Sequence, residues 1–307
     1  MQDYDIVIVG GGPGGLTAGL YAARAELKTV AIEKMLPGGQ IANTEWVEDY
    51  PGFELIGGAE LAKKMEDHAR KFGLEIASDN VIEIYSEGRY KIVKCDYDEY
   101  RAKAVIVATG GQPRKLGVPG ELELAGRGVS YCAICDGAFF KGVPIAVIGG
   151  GDSAVEEGTF LTKYGSKVYI IHRRDSLRAA KIVQERAIKN GKIEFIWDSV
   201  VEKINGPSGK VQSITVKNLK TNHNRNIEVG AVFPFVGFVP NSNIFRDAIR
   251  KDSMGYIITD ENMSTSIRGI WAIGDVRKQL VKQVTNAVGD GTTATVAAGK
   301  YIEAWDD

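Results

Sequence analysis

Two cysteines separated by two residues carry the clearest chemical signal in this sequence. Cys132 and Cys135 stand in the segment Tyr131–Gly137. This spacing lets both sulfur atoms lie on one face of a turn or helix start, where they can form and open a disulfide. The pair therefore predicts thiol–disulfide exchange. Half of a zinc site and a buried structural pair are the alternatives for the same spacing.

An acidic residue directly follows the second cysteine. A carboxyl group that loses solvent beside a dithiol has a raised pKa and can protonate a leaving thiolate. We therefore predict that Asp136 is a proton donor, the alternative being an exposed turn residue before Gly137. The third cysteine, Cys95, has no predicted role.

A glycine-rich turn near the start of the chain follows an apolar run. Residues Asp5–Val9 are typical of a strand buried on both faces of a parallel sheet. They lead into the first glycine turn (Gly10–Gly15), and a helical stripe and a second strand, Thr29–Ile32, follow it. The second strand ends on Glu33. This order predicts a dinucleotide-binding unit with a phosphate at the helix start. The glycines of its G-x-G-x-x-G pattern are Gly10, Gly12 and Gly15.

The same order recurs in the middle of the chain. The apolar run Val143–Ile148 leads into the second glycine turn (Gly149–Ala154), with the pattern G-x-G-x-x-A. A predicted helix and the strand Lys167–Ile171 follow. This order predicts a second dinucleotide site. The residues of this turn predicted to contact its cofactor are Gly149, Gly151, Asp152, Ser153 and Ala154.

The charge after the second strand differs between the two units. Glu33 can accept hydrogen bonds from ribose hydroxyls but would repel a 2′-phosphate. The corresponding position of the second unit is His172, followed by Arg173 and Arg174, and a guanidinium binds a phosphate bidentately. The second unit therefore predicts NADP(H), with a solvated charge run as the alternative. Because hydride passes readily from a nicotinamide to a flavin, the first unit predicts FAD.

Clusters of proline and glycine suggest three segments. We predict an FAD-binding part at 1–113, an NADPH-binding domain with the cysteine pair at 114–243, and a return to the FAD domain at 244–307. The last segment, of roughly 60 residues, is too short to bury a core alone. Within it, a strand ends at Gly274 and Asp275, and Asp275 is predicted to bind the ribityl chain of the flavin. A turn or helix-cap residue is the alternative for Asp275.

Composition excludes several classes of protein. The 307 residues carry 38 Lys and Arg against 39 Asp and Glu, a net charge of −1, which provides no broad field for nucleic acid or an anionic membrane. No apolar run approaches the roughly 20 residues of a membrane-spanning helix, and the first residues do not resemble a signal peptide. The 3 cysteines are too few for a disulfide scaffold, so we expect a reducing cytoplasm.

From end to end the chain resembles the low-molecular-weight, NADPH-dependent thioredoxin reductases. The resemblance implies an α/β fold of two Rossmann-like domains (the two-domain FAD/NAD(P) disulfide oxidoreductase fold), with a discontinuous FAD domain, and a homodimer. It also implies that NADPH reduces FAD, that FAD reduces the Cys132–Cys135 disulfide, and that the dithiol reduces thioredoxin. The motifs that carry it are Gly10–Gly15, Gly38–Gln40, Val47–Gly52, Ala108–Gly110, Cys132–Gly137, Gly149–Glu157, His172–Ala179 and Gly274–Arg277.

The resemblance also implies individual roles. Cys135 would face the flavin, and Arg178 would join the two arginines at the 2′-phosphate. Three positions depart from the family: Asp49 stands where Asn is frequent, Lys282 where Arg is frequent, and Ile134 where Thr is commonest. The FAD contacts that it implies or that belong to the same motifs are Pro13, Glu33, Gly39, Gln40, Thr44, Asp49, Thr109, Gly110, Gly274, Asp275, Gln283 and Val284.

Two other functions fit the same residues. A relative could carry out the same flavin and dithiol chemistry on a peroxiredoxin system or a small-molecule disulfide. A non-catalytic flavin-binding or redox-sensing protein would bind the cofactors without consuming NADPH in the presence of disulfides.

Overall fold

The structure, a computed structural model, describes residues 2–44 and 46–305. Its strands in this part of the chain are β1 (Gln2–Val9), β2 (Thr29–Glu33), β3 (Trp46–Val47), β4 (Ile56–Gly57), β5 (Glu75–Ser78), β6 (Val81–Glu87), β7 (Tyr90–Cys95), β8 (Glu99–Val107), β9 (Gly111–Pro113), β10 (Pro144–Ile148), β11 (Lys167–Ile171), β12 (Ile193–Ile196), β13 (Ser199–Asn205), β14 (Ser213–Asn218), β15 (Asn224–Glu228), β16 (Ala231–Pro234), β17 (Phe238–Pro240) and β18 (Ile270–Ala272). Its α-helices are α1 (Pro13–Arg24), α2 (Gly58–Lys71), α3 (Ala133–Asp136), α4 (Asp152–Leu161), α5 (Lys181–Ile188) and α6 (Val284–Glu303). Short 3₁₀ helices span Gly39–Asn43, Gly137–Phe140 and Gly274–Val276.

The chain divides into two compact units. Unit 1 takes the chain up to Gln112 and again from Val239, and unit 2 is Pro113–Phe238. The two connecting segments, β9 and β17, pair with each other as a two-stranded ribbon. The chain re-enters unit 1 at Val239. The assignment of segments 1–113, 114–243 and 244–307 to FAD and NADPH binding stays a prediction.

Unit 1 is built on a mixed sheet in the strand order β5-β2-β1-β8-β7-β6. Strands β1, β2, β5 and β8 run parallel, whereas β7 is antiparallel to both β6 and β8. The end of β8 also pairs with β18, since Val105 lies opposite Ile270. The C-terminal segment thus completes the sheet that the N-terminal segment begins.

Both faces of the unit 1 sheet are buried. Alternate residues of β1 enter different cores, with Val7 on one face and Ile8 on the other, and neither is exposed to solvent. Helices α1 and α6 cover the second face, where the Thr295 hydroxyl donates to the carbonyl oxygen of Ala18 at 3.2 Å. Strands buried on both faces have continuous apolar sequences, which explains the run that begins the chain.

Unit 2 contains a parallel sheet in the order β12-β11-β10-β16 and an antiparallel sheet of β13, β14 and β15. Phe233 on β16 is fully buried in the core beneath the parallel sheet. A second core, which includes Val129 and Ile214, joins the antiparallel sheet to the other face. In each unit a glycine turn joins a parallel strand to a helix, which confirms the predicted α/β fold.

Within the described ranges, none of the helices combines the length and the apolar character needed to cross a membrane.

Candidate functional site

The first glycine turn lies between β1 and α1 in unit 1. Gly10 has a φ of +109°, and a Cβ at this position would overlap the carbonyl oxygen of Ala108. A Cβ at Gly15 would overlap the carbonyl oxygen of Gly10. Both positions require glycine because the chain segments approach too closely for a side chain. Gly12 caps α1 and Pro13 begins it, so the unpaired amides of the helix start lie at this turn.

Glu33 ends β2 next to the first glycine turn. One carboxylate oxygen, Oε2, accepts a hydrogen bond from the amide of Gly11 at 2.7 Å. The other, Oε1, accepts one from the amide of Met35 at 3.0 Å. These two bonds hold the half-buried carboxylate beside the glycine turn, where a ribose would lie if a phosphate occupied the helix start.

The loop after β2 folds back onto the same turn. The amide of Gly38 donates to the carbonyl oxygen of Gly11 at 2.8 Å, and Gly39 has a φ of +58°. The side-chain amide of Gln40 donates to the carbonyl oxygen of Gly111 at 3.2 Å. Gly39 and Gln40 therefore lie around the glycine turn, as a cofactor contact at either residue requires.

Thr44 and Asp49 lie further along this loop. The hydroxyl of Thr44 donates to the carbonyl oxygen of Gln40 at 3.3 Å, which ties Thr44 to the same segment. Asp49 is exposed, and among the described hydrogen bonds none joins its side chain to the first glycine turn. The structure therefore joins Thr44 to the segment that carries Gln40 by a hydrogen bond, and it shows no such bond for the Asp49 side chain among the described residues.

Thr109 and Gly110 follow β8 and are held by Asn241, which no sequence pattern indicated as a site residue. The hydroxyl of Thr109 donates to the carbonyl oxygen of Asn241 at 2.7 Å, and the side-chain amide of Asn241 donates back to the carbonyl oxygen of Thr109 at 2.9 Å. The amide of Asn241 also donates to the carbonyl oxygen of Gly110 at 3.0 Å. In the sequence, the pair Pro240 and Asn241 at a predicted domain boundary is the feature that could have indicated this contact.

A second residue that no sequence pattern indicated, Asp290, holds the turn after β18. Asp290 on α6 is 6% exposed, and its Oδ2 accepts a hydrogen bond from the amide of Gly274 at 2.9 Å. The guanidinium of Arg277 donates to both oxygens of Asp290, at 2.7 and 2.8 Å. Helix α6 thus fixes the backbone of the turn that presents Asp275.

Asp275 lies in a desolvated position near the start of α6. Burial raises the pKa of its carboxyl group, and the charge of Lys282 opposes that shift. The ammonium of Lys282 donates to the carbonyl oxygen of Asp275 at 2.9 Å and lies 3.9 Å from the ring centre of Tyr256. Gln283 caps α6 and Val284 begins it. The residues that follow β18 therefore form one connected group in unit 1.

These residues of unit 1 fit a dinucleotide. A helix start and a glycine turn provide amides for a pyrophosphate. Glu33 stands beside that turn, and the half-buried Asp275 offers carboxylate oxygens that can accept hydrogen bonds from hydroxyl groups.

The second glycine turn lies between β10 and α4 in unit 2. Gly149 has a φ of +151°, and a Cβ at this position would overlap the carbonyl oxygen of Phe235. Gly151 caps α4, and Ala154 is 1% exposed in the core below the turn. The position that carries Gly15 in the first turn therefore accepts a methyl group here.

The first residues of α4 differ in their surroundings. Asp152 accepts a hydrogen bond from the amide of Ala180 at 2.7 Å, which ties the helix start to the loop after β11. Ser153 is exposed at the same end of the helix. Both residues thus stand at the amide-rich helix start, as a phosphate contact requires.

His172 is buried, unlike the arginines that follow it. It is 5% exposed, and a Cβ at Gly150 would overlap its ring. The ring also lies edge-on to Trp197, with 6.5 Å between ring centres, and its Nε2 atom has no hydrogen-bond partner among the described residues. Burial lowers the pKa of His172, and the positive charges of the neighbouring arginines lower it further. The imidazole therefore packs beneath the second glycine turn in surroundings that favour its neutral form.

Arg173, Arg174 and Arg178 are exposed on the loop after β11. The amide of Arg178 donates to the carbonyl oxygen of Gly150 at 2.6 Å, so this loop lies against the second glycine turn. The structure thus brings three guanidinium-bearing residues and the start of α4 together in unit 2. This set fits a nucleotide with an additional phosphate.

Cys132 and Cys135 form a disulfide at the start of α3, in the same unit. Cys132 caps the helix, and the amide of Cys135 donates to its Sγ atom at 3.2 Å. Asp136 ends α3, and its amide donates to the carbonyl oxygen of Cys132 at 3.2 Å. The two cysteines are therefore placed for disulfide exchange, with a carboxyl group on the adjoining residue.

Comparison with known proteins identifies the family. Residues 4–291 match the family described as pyridine nucleotide-disulphide oxidoreductase. The chain is 49% identical to thioredoxin reductase from Bacillus subtilis, over 98% of this chain and 95% of the relative. Two crystal structures of thioredoxin reductases are also similar. The one from Lactococcus lactis has a TM-score of 0.96 at 49% identity, covering 98% of this chain and 99% of that one. The one from T. acidophilum has a TM-score of 0.94 at 35% identity, with the same coverage.

These similarities extend over nearly the whole chain and confirm both the resemblance inferred from the motifs and the assignment as an oxidoreductase. The disulfide between Cys132 and Cys135 agrees with that assignment. The chain therefore belongs to the thioredoxin reductases, within the pyridine nucleotide-disulphide oxidoreductase family.

Proposed function

We propose that the chain transfers electrons from NADPH, through FAD and the Cys132–Cys135 pair, to oxidised thioredoxin. The observation that carries this proposal is the disulfide at the start of α3, which lies in the same unit as a glycine turn flanked by arginines. When bound, FAD supplies a two-electron relay between a nicotinamide and a disulfide. The Cys132–Cys135 disulfide takes up two electrons and two protons, and the dithiol is reoxidised as it reduces the disulfide of thioredoxin.

Unit 1 is the proposed FAD site. The amides at the start of α1 would bind the pyrophosphate, and Glu33 would bind the ribose hydroxyls. Asp275, whose pKa burial raises, would accept a hydrogen bond from the ribityl chain. The close approach of Gly39 to the first glycine turn supports a backbone contact there as well.

Unit 2 is the proposed NADPH site. The exposed guanidinium groups of Arg173, Arg174 and Arg178 would bind the 2′-phosphate, which NADH lacks. The start of α4 would bind the pyrophosphate through its free amides. His172 would support the loop from below, since its ring is buried against Gly150.

The two cysteines have different proposed roles. Cys132 would attack the disulfide of thioredoxin, because the amide of Cys135 donates to its sulfur and would stabilise a thiolate there. Cys135 would exchange electrons with the flavin, and Asp136 would supply the proton to the leaving sulfur.

Thioredoxin is the proposed acceptor because the relatives that share 49% of their residues with this chain are named for it. A homodimer is proposed from the same family resemblance, and a reducing cytoplasm stays the predicted compartment. Light scattering on the purified protein tests the oligomeric state. A mass equal to one chain at micromolar concentration would contradict the dimer.

Stopped-flow spectroscopy of the holoenzyme tests the electron route. NADPH should bleach the flavin absorbance of both the wild type and Cys135→Ser, but only the wild type should then reduce thioredoxin. Cys95→Ala is the matched control, because Cys95 is 5% exposed and burial raises the pKa of its thiol to about 12. The control should keep full turnover. Retained turnover in Cys135→Ser, or a wild type inactive with every thioredoxin, would contradict the proposal.

A further inference from the structure

A buried carboxylate in unit 2 connects the segment before the cysteine pair to an earlier loop. Glu121 is 1% exposed. Its Oε1 atom accepts hydrogen bonds from the amide of Leu116 at 2.8 Å and from the hydroxyl of Tyr131 at 2.7 Å. Its Oε2 atom accepts one from the amide of Gly117 at 2.7 Å. Three donors thus satisfy a carboxylate whose burial would otherwise be unfavourable.

The hydrogen bond to Glu121 restrains Tyr131, which is the neighbour of Cys132 in the sequence. The ring of Tyr131 packs against the core of unit 2, together with Leu116 and Val118. The tyrosine side chain is therefore held at two places: Glu121 holds its hydroxyl, and the core holds its ring. A tyrosine restrained at both ends leaves little freedom for the backbone of the following residue.

A second restraint acts on Cys132 from Ser130, two residues before it. The hydroxyl oxygen of Ser130 accepts a hydrogen bond from the amide of Cys132 at 3.1 Å, and the same hydroxyl donates to the carbonyl oxygen of Cys132 at 3.2 Å. The amide of Ser130 donates to the carbonyl oxygen of Val232 on β16 at 3.0 Å. Cys132 is thus connected to the parallel sheet through Ser130 and to the earlier loop through Tyr131.

We propose that Glu121, acting through Tyr131, is a positioning residue that holds Cys132 for disulfide chemistry. The inference rests on the proposed function, because it takes Cys132–Cys135 as the redox pair. A restrained Cys132 loses little freedom when the disulfide closes, which favours the disulfide over the dithiol. The same restraint holds the thiol in one orientation for attack on thioredoxin.

Tyr131→Phe tests this proposal, since it keeps the ring in the core and removes only the hydroxyl. We expect the equilibrium constant for disulfide formation to fall about threefold, which corresponds to a midpoint about 15 mV less reducing for this two-electron couple. Turnover with thioredoxin should fall about fivefold, while reduction of the flavin by NADPH is unchanged. The midpoint is measured on the holoenzyme by equilibration in dithiothreitol redox buffers, thiol alkylation and mass spectrometry.

Tyr4→Phe is the matched control. The hydroxyl of Tyr4 also donates to a carboxylate, that of Glu75 at 2.9 Å, but this pair lies in unit 1. The control should keep both the midpoint and the turnover of the wild type. If Tyr131→Phe lowers only the melting temperature and leaves midpoint and turnover unchanged, the contact is merely structural and the proposal is wrong.

Glu121→Gln tests the other end of the contact. The N–H₂ group of a glutamine would face one of the three groups that donate to Glu121, and two donors cannot bond to each other. We therefore expect a shift of the midpoint in the same direction as in Tyr131→Phe. Because both changes break one interaction, the double variant should shift the midpoint by less than the sum of the two single shifts. Full additivity would contradict the proposal. If NADPH fails to reduce the Cys132–Cys135 pair of the wild type, the proposed function fails instead, whatever the tyrosine variant does.

Discussion

Exposure distinguishes the three arginines after β11 from the histidine that precedes them. Arg173 and Arg174 present guanidinium groups to solvent, whereas His172 is 5% exposed and contacts the second glycine turn. The basic residues of this motif therefore have two different physical tasks. The arginines can bind a phosphate, and the histidine fills the space beneath the turn.

Replacing the two arginines tests the proposed 2′-phosphate site. In the double variant Arg173→Ala and Arg174→Ala, we expect KM for NADPH to rise about tenfold to a hundredfold, because charge-assisted contacts with the phosphate are lost. KM for NADH should change little, since NADH lacks that phosphate. Arg225→Ala, an exposed arginine on β15 in the same unit, should leave both constants unchanged. Equal losses for the two nucleotides would count against the site. Steady-state kinetics with both nucleotides provide the measurement.

The buried imidazole predicts a pH dependence of stability. The pKa of His172 lies below the ordinary value of 6.5 in the folded protein and near that value in the unfolded chain. As the pH falls through about 6.5, the unfolded chain therefore binds a proton that the folded protein does not, and the free energy of unfolding decreases.

We expect His172→Gln to remove part of this decrease between about pH 7.5 and about pH 5.5. Urea denaturation across that range measures it. His223→Gln is the control, because His223 is exposed and should leave the slope of the wild type unchanged. An identical slope in the wild type and in His172→Gln would show that His172 does not titrate differently on folding.

At the scale of elements, the two glycine turns differ in how much space they leave between the start of the helix and the preceding strand. In unit 1, a Cβ at Gly15 would overlap the carbonyl oxygen of Gly10, so α1 begins in direct contact with the end of β1. In unit 2 the corresponding residue is Ala154, which is 1% exposed. The helix start of the first turn therefore lies closer to its strand, and only glycine fits there.

This difference predicts the effect of adding a methyl group. Gly15→Ala should lower the free energy of unfolding by about 2–4 kcal/mol, because α1 or β1 must move. Gly289→Ala on α6 should raise it by about 0.5–1 kcal/mol, since alanine favours helices and a Cβ there meets no atom within 4 Å in the part of the chain that the structure describes. Urea denaturation of both variants provides the comparison. If Gly15→Ala had the same free energy of unfolding as the wild type, the turn would accommodate a methyl group without loss of stability, and the prediction would be wrong.

At the scale of the whole molecule, the chain leaves unit 1 and re-enters it at adjacent positions. The amide of Arg114 donates to the carbonyl oxygen of Gly237 at 2.8 Å, and the amide of Asn241 donates to that of Gly110 at 3.0 Å. These bonds set an antiparallel register that places Gln112 opposite Val239. Paired strands lie about 5 Å apart, so a short linker can close unit 1 without unit 2.

We expect a chain that joins Gln112 to Val239 through a few glycines to fold and to retain FAD through gel filtration. NADPH should not bleach its flavin, because the proposed nicotinamide site belongs to unit 2. The full-length Cys135→Ser variant is the control, since it keeps unit 2 and should still be reduced by NADPH. A folded but colourless product would contradict the assignment of FAD to unit 1. Absorbance spectroscopy before and after addition of NADPH reports both outcomes.

Several contacts in the candidate sites join residues that no local pattern relates. Asn241 reaches Thr109, and Asp290 reaches the amide of Gly274. Each is a single polar side chain in a loop or on a helix, and its partner is known only when the chain has folded. The sequence therefore indicated Thr109 and Gly274 as cofactor contacts but not the residues that hold them.

The amino-acid sequence alone determined the chemistry and the order of the elements. The glycine turns, the spacing of the cysteines, and the basic residues that begin at His172 where the first unit has Glu33 are local patterns. Each depends on residues that lie a few positions or one strand–helix–strand unit apart. Only the tertiary structure decided which of these residues are accessible and what restrains them. It buried His172 against Gly150 and connected Glu121 to Tyr131, because burial and hydrogen bonding depend on how distant segments pack together.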